Sequence, residues 1–139
     1  MKNCRIIIIA AMGLAIIAAS STQSYAMGGC AAFPVSEGWS NISHEKIVSY
    51  VSAKHGNDWA PYLVKWNKQL HTMKSVYARD GVAVFKKKAL TLKGEALQRY
   101  IEDIAARIEV TECLARYDAE TREARALNDL DTAAGGNAQ

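Results

Sequence analysis

Proline stands at only two positions, Pro34 and Pro61, and neither proline nor glycine occurs from Glu95 to Ala134. With nothing there to stop a helix once it has started, that stretch reads as one long helix. Cysteine is scarce as well: Cys4, Cys30 and Cys113 are the three, with no Cys-x-x-Cys and no Cys-x-x-Cys-His. Those absences exclude covalent haem and leave a clustered thiol–metal site without support. The longest apolar run, Ile6 to Ala19, holds seven Ile/Leu residues. It falls short of the roughly 20 residues that a membrane-spanning helix needs. Gly-x-Ser-x-Gly, Gly-x-Gly-x-x-Gly and Walker patterns are missing, and Gly28-Gly29 lacks the Lys-Ser/Thr that phosphate binding requires.

What the N-terminus does contain is a basic start with Lys2 and Arg5, the apolar run, and the small residues Ser24 and Ala26 on either side of Tyr25. This is the layout of a secretory signal peptide spanning Met1–Ala26, and it predicts an exported protein, periplasmic or extracellular. The remaining part carries 15 of the 17 Lys/Arg residues and all 14 acids, a net charge of +1 that gives no case for nucleic acid. Its distribution is uneven. Ser43–Lys93 holds ten Lys/Arg against three acids, and Gly94–Asp131 holds five Arg against ten acids. A basic helix packed beside an acidic one within the monomer is the expected consequence.

With Cys4 inside the signal segment, Cys30 and Cys113 form an even pair, and in an exported chain such a pair is expected as one disulfide. Lipidation at Cys30 is the competing reading. Met27-Gly28-Gly29-Cys30 is loosely like a lipobox, but Met replaces the usual aliphatic residue, and Ser20–Tyr25 separates Cys30 from the apolar run.

Met27–Ile42 contains three glycines and Pro34 without periodicity, so an irregular arm is expected, with Phe33, Val35 and Trp39 as anchors. Ser43 is placed to cap a helix in which Ile47, Val48 and Val51 are buried and which Gly56 stops. Asn57 or Asp58 then restarts a helix. Trp59, Leu63, Trp66, Leu70, Met73 and Tyr77 recur at heptad spacing along it, and Asp80-Gly81 ends it. Gly81–Leu92 is ambiguous between a strand and the beginning of a helix. The long helix from Glu95 to Leu130 has a seam of Leu97, Ile101, Ile104 and Ile108, with an exposed ladder of Glu95, Arg99, Asp103 and Arg107. Such a helix is about 54 Å long, whereas a domain of this size is roughly 35 Å across. The end must overhang, and Thr132–Gln139 reads as a disordered tail. The expected architecture is all-α: a small three- to four-helix bundle with an irregular arm (27–42), a core (43–117) and an overhanging helix end with its tail (118–139).

Catalytic chemistry finds little purchase. His44-Glu45 opens a zincin-like pattern, but Val48 stands where the second histidine ligand belongs. His44, His55 and His71 have no shared spacing, and Glu37, Glu45 and Asp58 are the acids outside the Arg ladder. No metal, cofactor or catalytic residue is assigned. Leu90-Thr91 opens a Leu-Thr-x-x-Gln pattern as in periplasmic helical chaperones, but Gly94 occupies the Gln position, so no family is assigned. The function expected is non-catalytic binding of another envelope or secreted protein, as adaptor, accessory subunit or inhibitor. Contact is placed on Arg116, Glu120, Arg122, Glu123, Arg125 and Asp129, with membrane association only through the partner or through lipidation at Cys30. Heptads on two helices also permit a homodimer. The alternative is a small-molecule or haem carrier with its pocket near Trp66, His71 and Met73.

Overall fold

The computed structural model describes residues 27–36, 39 and 41–135. The expected signal segment Met1–Ala26, the candidate acid Glu37 and the last four tail residues lie outside the described residues. Three helices and one β-hairpin follow in the order α1 (His44–His55), α2 (Ala60–Asp80), β1 (Val82–Phe85), β2 (Leu90–Lys93) and α3 (Gly94–Gly135). The molecule is a small, mostly helical domain, as the periodicity predicts, and the hairpin is its one departure from all-α.

Local chemistry sets the helix ends. The Ser43 Oγ accepts from the Lys46 N–H at 3.4 Å to open α1. At α2 the Asp58 carboxylate accepts from the Ala60 N–H at 2.9 Å, and Pro61 sits in the first turn, where its missing N–H costs nothing. Gly81 closes α2 in the left-handed region (φ 62°), and its N–H reaches the carbonyls of Val76 and Tyr77. That turn redirects the chain into β1.

Lys86–Leu92, where a new helix was one of the expectations, instead completes a hairpin. Lys86–Lys88 form a single 3₁₀ turn, Ala89 adopts φ 48°, and Leu90 returns the chain antiparallel to β1. The register pairs Val82 with Lys93, Ala83 with Leu92, Val84 with Thr91 and Phe85 with Leu90. Ala83, Phe85, Leu90 and Leu92 thereby face inward and Val82, Val84, Thr91 and Lys93 outward, a period-two pattern that a helix would have scrambled. Helix α3 runs on for 42 residues, about 63 Å at the usual rise. It continues past Leu130 through residues expected to be disordered, with the Thr132 hydroxyl donating to the Asn128 carbonyl at 2.8 Å.

The core has two parts. Cys30 and Phe33 of the arm, Ile47 and Val51 of α1, and Trp59 and Tyr62 gather on Val110 and Leu114 of α3. Ala83 and Leu92 of the hairpin gather on Leu97, Tyr100, Ile104 and Ile108. Leu63 and Trp66 of α2 touch both clusters and join them. The heptad seam of α2 holds as far as Met73, but then Val76 turns inward and Tyr77 is exposed. A straight helix drifts about 20° per heptad from a 3.5-residue repeat, and by the fourth turn that drift has moved the seam.

Cys30 and Cys113 are joined by a disulfide, with Cα atoms 5.8 Å apart. The Cys30 sulfur is thus engaged and is not open to the acylation that the lipoprotein reading needs. Because the bridge closes a loop of 83 residues, chain entropy assigns it about 4 to 5 kcal/mol. Urea denaturation with and without reductant should show a loss of about this size. Equal midpoints would show that the arm is held without the bond.

Candidate functional site at the free end of the long helix

The arm is fixed to α3 at three places before the helix leaves the bundle. Gly28, at φ 65°, lies so close to Tyr117 that a Cβ there would clash with the ring carbons Cδ2 and Cγ, so glycine is favoured both by space and by backbone conformation. Two residues on, Cys30 is bonded to Cys113. Then Arg107 enters from α3 with only 4 % of its surface exposed. Its guanidinium carbon lies 3.9 Å from the Trp39 ring centre and 5.5 Å from that of Phe33, and Nη2 donates to the Pro34 carbonyl at 2.7 Å. Among the described residues no carboxylate forms an ion pair with it, and Nε lacks a hydrogen-bond partner. Burial pushes the guanidinium below its ordinary pKa, opposed by Tyr62, Asp103 and Tyr100. Aromatic faces therefore hold this charge where a carboxylate would be usual. Trp39 in turn stacks on Tyr100 at 5.1 Å and leans on Trp66 at 5.2 Å.

Of the three expected anchors, Phe33 and Trp39 serve and Val35 is exposed. Arg107 corrects the expected ladder, which placed it in solvent. Among the described residues the ladder consists of Arg99–Glu95 at 3.6 Å and Arg122–Asp118 at 3.3 Å. Arg107 sits between Ile104 and Ile108 on the buried seam, and that position is the signal that charge spacing obscured.

Packing on α3 extends one turn beyond the expected limit at Tyr117. The Asp118 carboxylate accepts from the Trp59 Nε1–H at 2.9 Å, and Thr121 is the last half-buried residue. From Arg122 to Ala134 every residue is exposed. Arg116, Glu120, Arg122, Glu123, Arg125 and Asp129 are all exposed on this part of α3, but they do not share one face. At about 100° per residue, Arg116, Glu120 and Glu123 line up with Leu127 and Leu130, whereas Arg122, Arg125 and Asp129 fall on the other side. Leu127 and Leu130 are 58 % and 66 % exposed, and they are the contact candidates that reading charge alone missed. At the root of the free end, Met27, Val48, Tyr117 and Thr121 line a cleft of about 160 Å³ with Asp118, Arg122 and Arg125.

The titratable groups elsewhere are dispersed. His44 is buried with Nε2 2.9 Å from the Ala31 carbonyl, His55 lies edge-on to Tyr50, and His71 is exposed. Asp58 is used as a helix cap. Among the described residues no group of three or more His, Cys, Asp or Glu is placed to hold a metal, and no helix is long and apolar enough to cross a membrane. His71 lies on the opposite side of α2 from Trp66 and Met73, which face the core.

Arg107→Lys keeps the charge but removes the planar group stacked on Trp39, so a stability loss of about 1 to 3 kcal/mol is expected from urea denaturation. An unchanged midpoint would contradict the stacking role. Asp118→Ala, which strands the Trp59 N–H, should cost about 1 to 3 kcal/mol and blue-shift Trp fluorescence little or not at all. A cost near zero would show that the bond does not hold the root of the free end. No protein-family model matches the chain, and no curated protein or solved structure matches it either, so its function is read from its own chemistry.

Proposed function

We propose that this is an exported, non-catalytic helical protein that binds another envelope or secreted protein through the free end of α3. The supporting observation is that last stretch of helix, Arg122–Ala134, in which every residue is exposed among the described residues and which keeps an apolar pair, Leu127 and Leu130, on one face. A helix with such a face is suited to lie in a groove on a partner, with anchors spaced three to four residues apart. The bundle behind it, closed by the disulfide and the arm, serves as the rigid base that aims the helix. Glu120 and Glu123 beside the leucines favour a partner groove with a basic rim.

Truncation after Arg122 tests this. It retains Asp118 with both its partners, Trp59 and Arg122, so the bundle should keep its melting temperature within a few degrees. Species that co-purify with the full chain should be lost. Recovery of the same partners with the shortened chain would refute the proposal.

A further inference from the structure

The charge asymmetry is not neutralised inside the monomer. Among the described residues the ion pairs are Arg79–Asp80, Arg99–Glu95 and Arg122–Asp118, all local, and none joins the basic α2 and hairpin to the acidic α3. The basic α2 does pack beside the acidic α3, as the charge distribution predicts, but through apolar side chains, and among the described residues no ion pair crosses that contact.

Two surfaces remain, and each has what the other lacks. The outer face of the hairpin presents Val82, Val84, Thr91 and Lys93, with Val84 65 % exposed. At its tip, Val84 and Phe85 line an open cleft of about 470 Å³ with Lys86, Lys87 and Lys88. The segment Val82–Lys93 contains four lysines and no acidic residue. Lys88 leans toward Trp39 at 5.9 Å, whereas Lys86 and Lys87 are exposed at the cleft and Lys93 is exposed at the other end of the hairpin. On the free end of α3, Leu127 and Leu130 lie in one stripe flanked by Glu120, Glu123 and Asp131, all within about 100° of arc, and both arginines of that segment lie outside it. One surface is Val84 and Phe85 in a cleft lined by lysines; the other is two leucines flanked by carboxylates.

A single copy cannot join them. The hairpin packs on Leu97, Tyr100 and Ile104, and the acidic stripe lies about 25 residues further along an unbroken helix, roughly 38 Å away. We infer that the acidic leucine stripe of one copy seats on the basic hairpin of a second copy. Because each copy carries both surfaces, a two-fold pair makes this contact twice. Each contact is a helix strip of about three turns, and the two together bury on the order of 1,000 Å², the lower end for specific association. The pairing is accordingly weak and salt-sensitive. The inference rests on the reading of the free end of α3 as an interface and identifies what covers it when no other partner is bound.

Charge exchange tests it. The chain as exported, purified and measured by light scattering and sedimentation at about 10 to 200 µM, should pair at about 20 mM salt, with its dissociation constant rising about tenfold or more by about 300 mM. The hairpin variant K86E/K87E/K93E and the stripe variant E120K/E123K/D131K should each run as monomers. An equimolar mixture should pair again, because each contact is then complementary. The uncharged variant L127S/L130S should also run as a monomer with unchanged far-UV dichroism. A wild-type monomer at both salts overturns the inference, as does a mixture that fails to recover pairing. Binding of that monomer to phosphatidylglycerol vesicles, lost in the hairpin variant, would reassign the hairpin to a lipid surface. A monomer that still recovers an envelope partner through its free end overturns only the self-pairing and leaves the proposed function standing.

Discussion

A single buried cation decides how the N-terminal half of this protein meets the C-terminal half. Arg107 cannot lose its proton under any ordinary condition, so α3 carries a permanent charge into the interior. The arm answers it with the faces of Trp39 and Phe33 and the carbonyl of Pro34. None of these groups has a structure of its own to impose, since the described residues of the arm form no helix or strand. Its path is set by what Arg107 needs and by the bond from Cys30 to Cys113, six residues further along the same helix. Trp39, once placed, bridges to Trp66 on α2 and to Tyr100 on α3, so one cation–aromatic contact links arm, α2 and α3.

The elements that could be read from the residues are those governed by local rules. Ser43, Gly56 and Gly81 act on their own neighbours, and their helix ends appear where capping chemistry puts them. The cysteine pair was readable because only two cysteines follow the expected signal segment. Three features escaped because they depend on non-local contacts. The hairpin forms because Ala83, Phe85, Leu90 and Leu92 find the first turns of α3 beneath them, which no window of residues can report. Arg107 looks like a rung of a solvated ladder until the arm covers it. The limit of packing on α3 is set by Trp59, which is 59 residues away in sequence and bonded to Asp118. The predicted contact residues fared similarly: all six are exposed, but charge spacing placed them together and helical geometry divides them between two faces.

The two-part core and the free helix divide the chain into a base and a lever. Buried residues on α3 stop at Leu114, with Asp118 and Thr121 half-buried beyond it, so about a third of the helix contributes nothing to the core that would offset its exposed leucines. The helix survives there because it is a continuation of a packed one and contains no glycine or proline between Glu95 and Ala134. The same continuity places the acidic stripe and the basic hairpin at opposite ends of one rod, where neither can neutralise the other within a chain. The proposed partner binding and self-pairing both rest on that separation.

The most direct measurement is site-specific photocrosslinking in cells of the native host, with a benzophenone side chain at Leu127, at Leu130 and, on the other side of the helix, at Arg125. A protein interface on the leucine face predicts discrete protein adducts from Leu127 and Leu130 and little or none from Arg125, with the adduct mass identifying a second copy or another protein. Adducts from all three positions alike, or from none, would contradict the claim that this face of α3 is where the protein meets its partner.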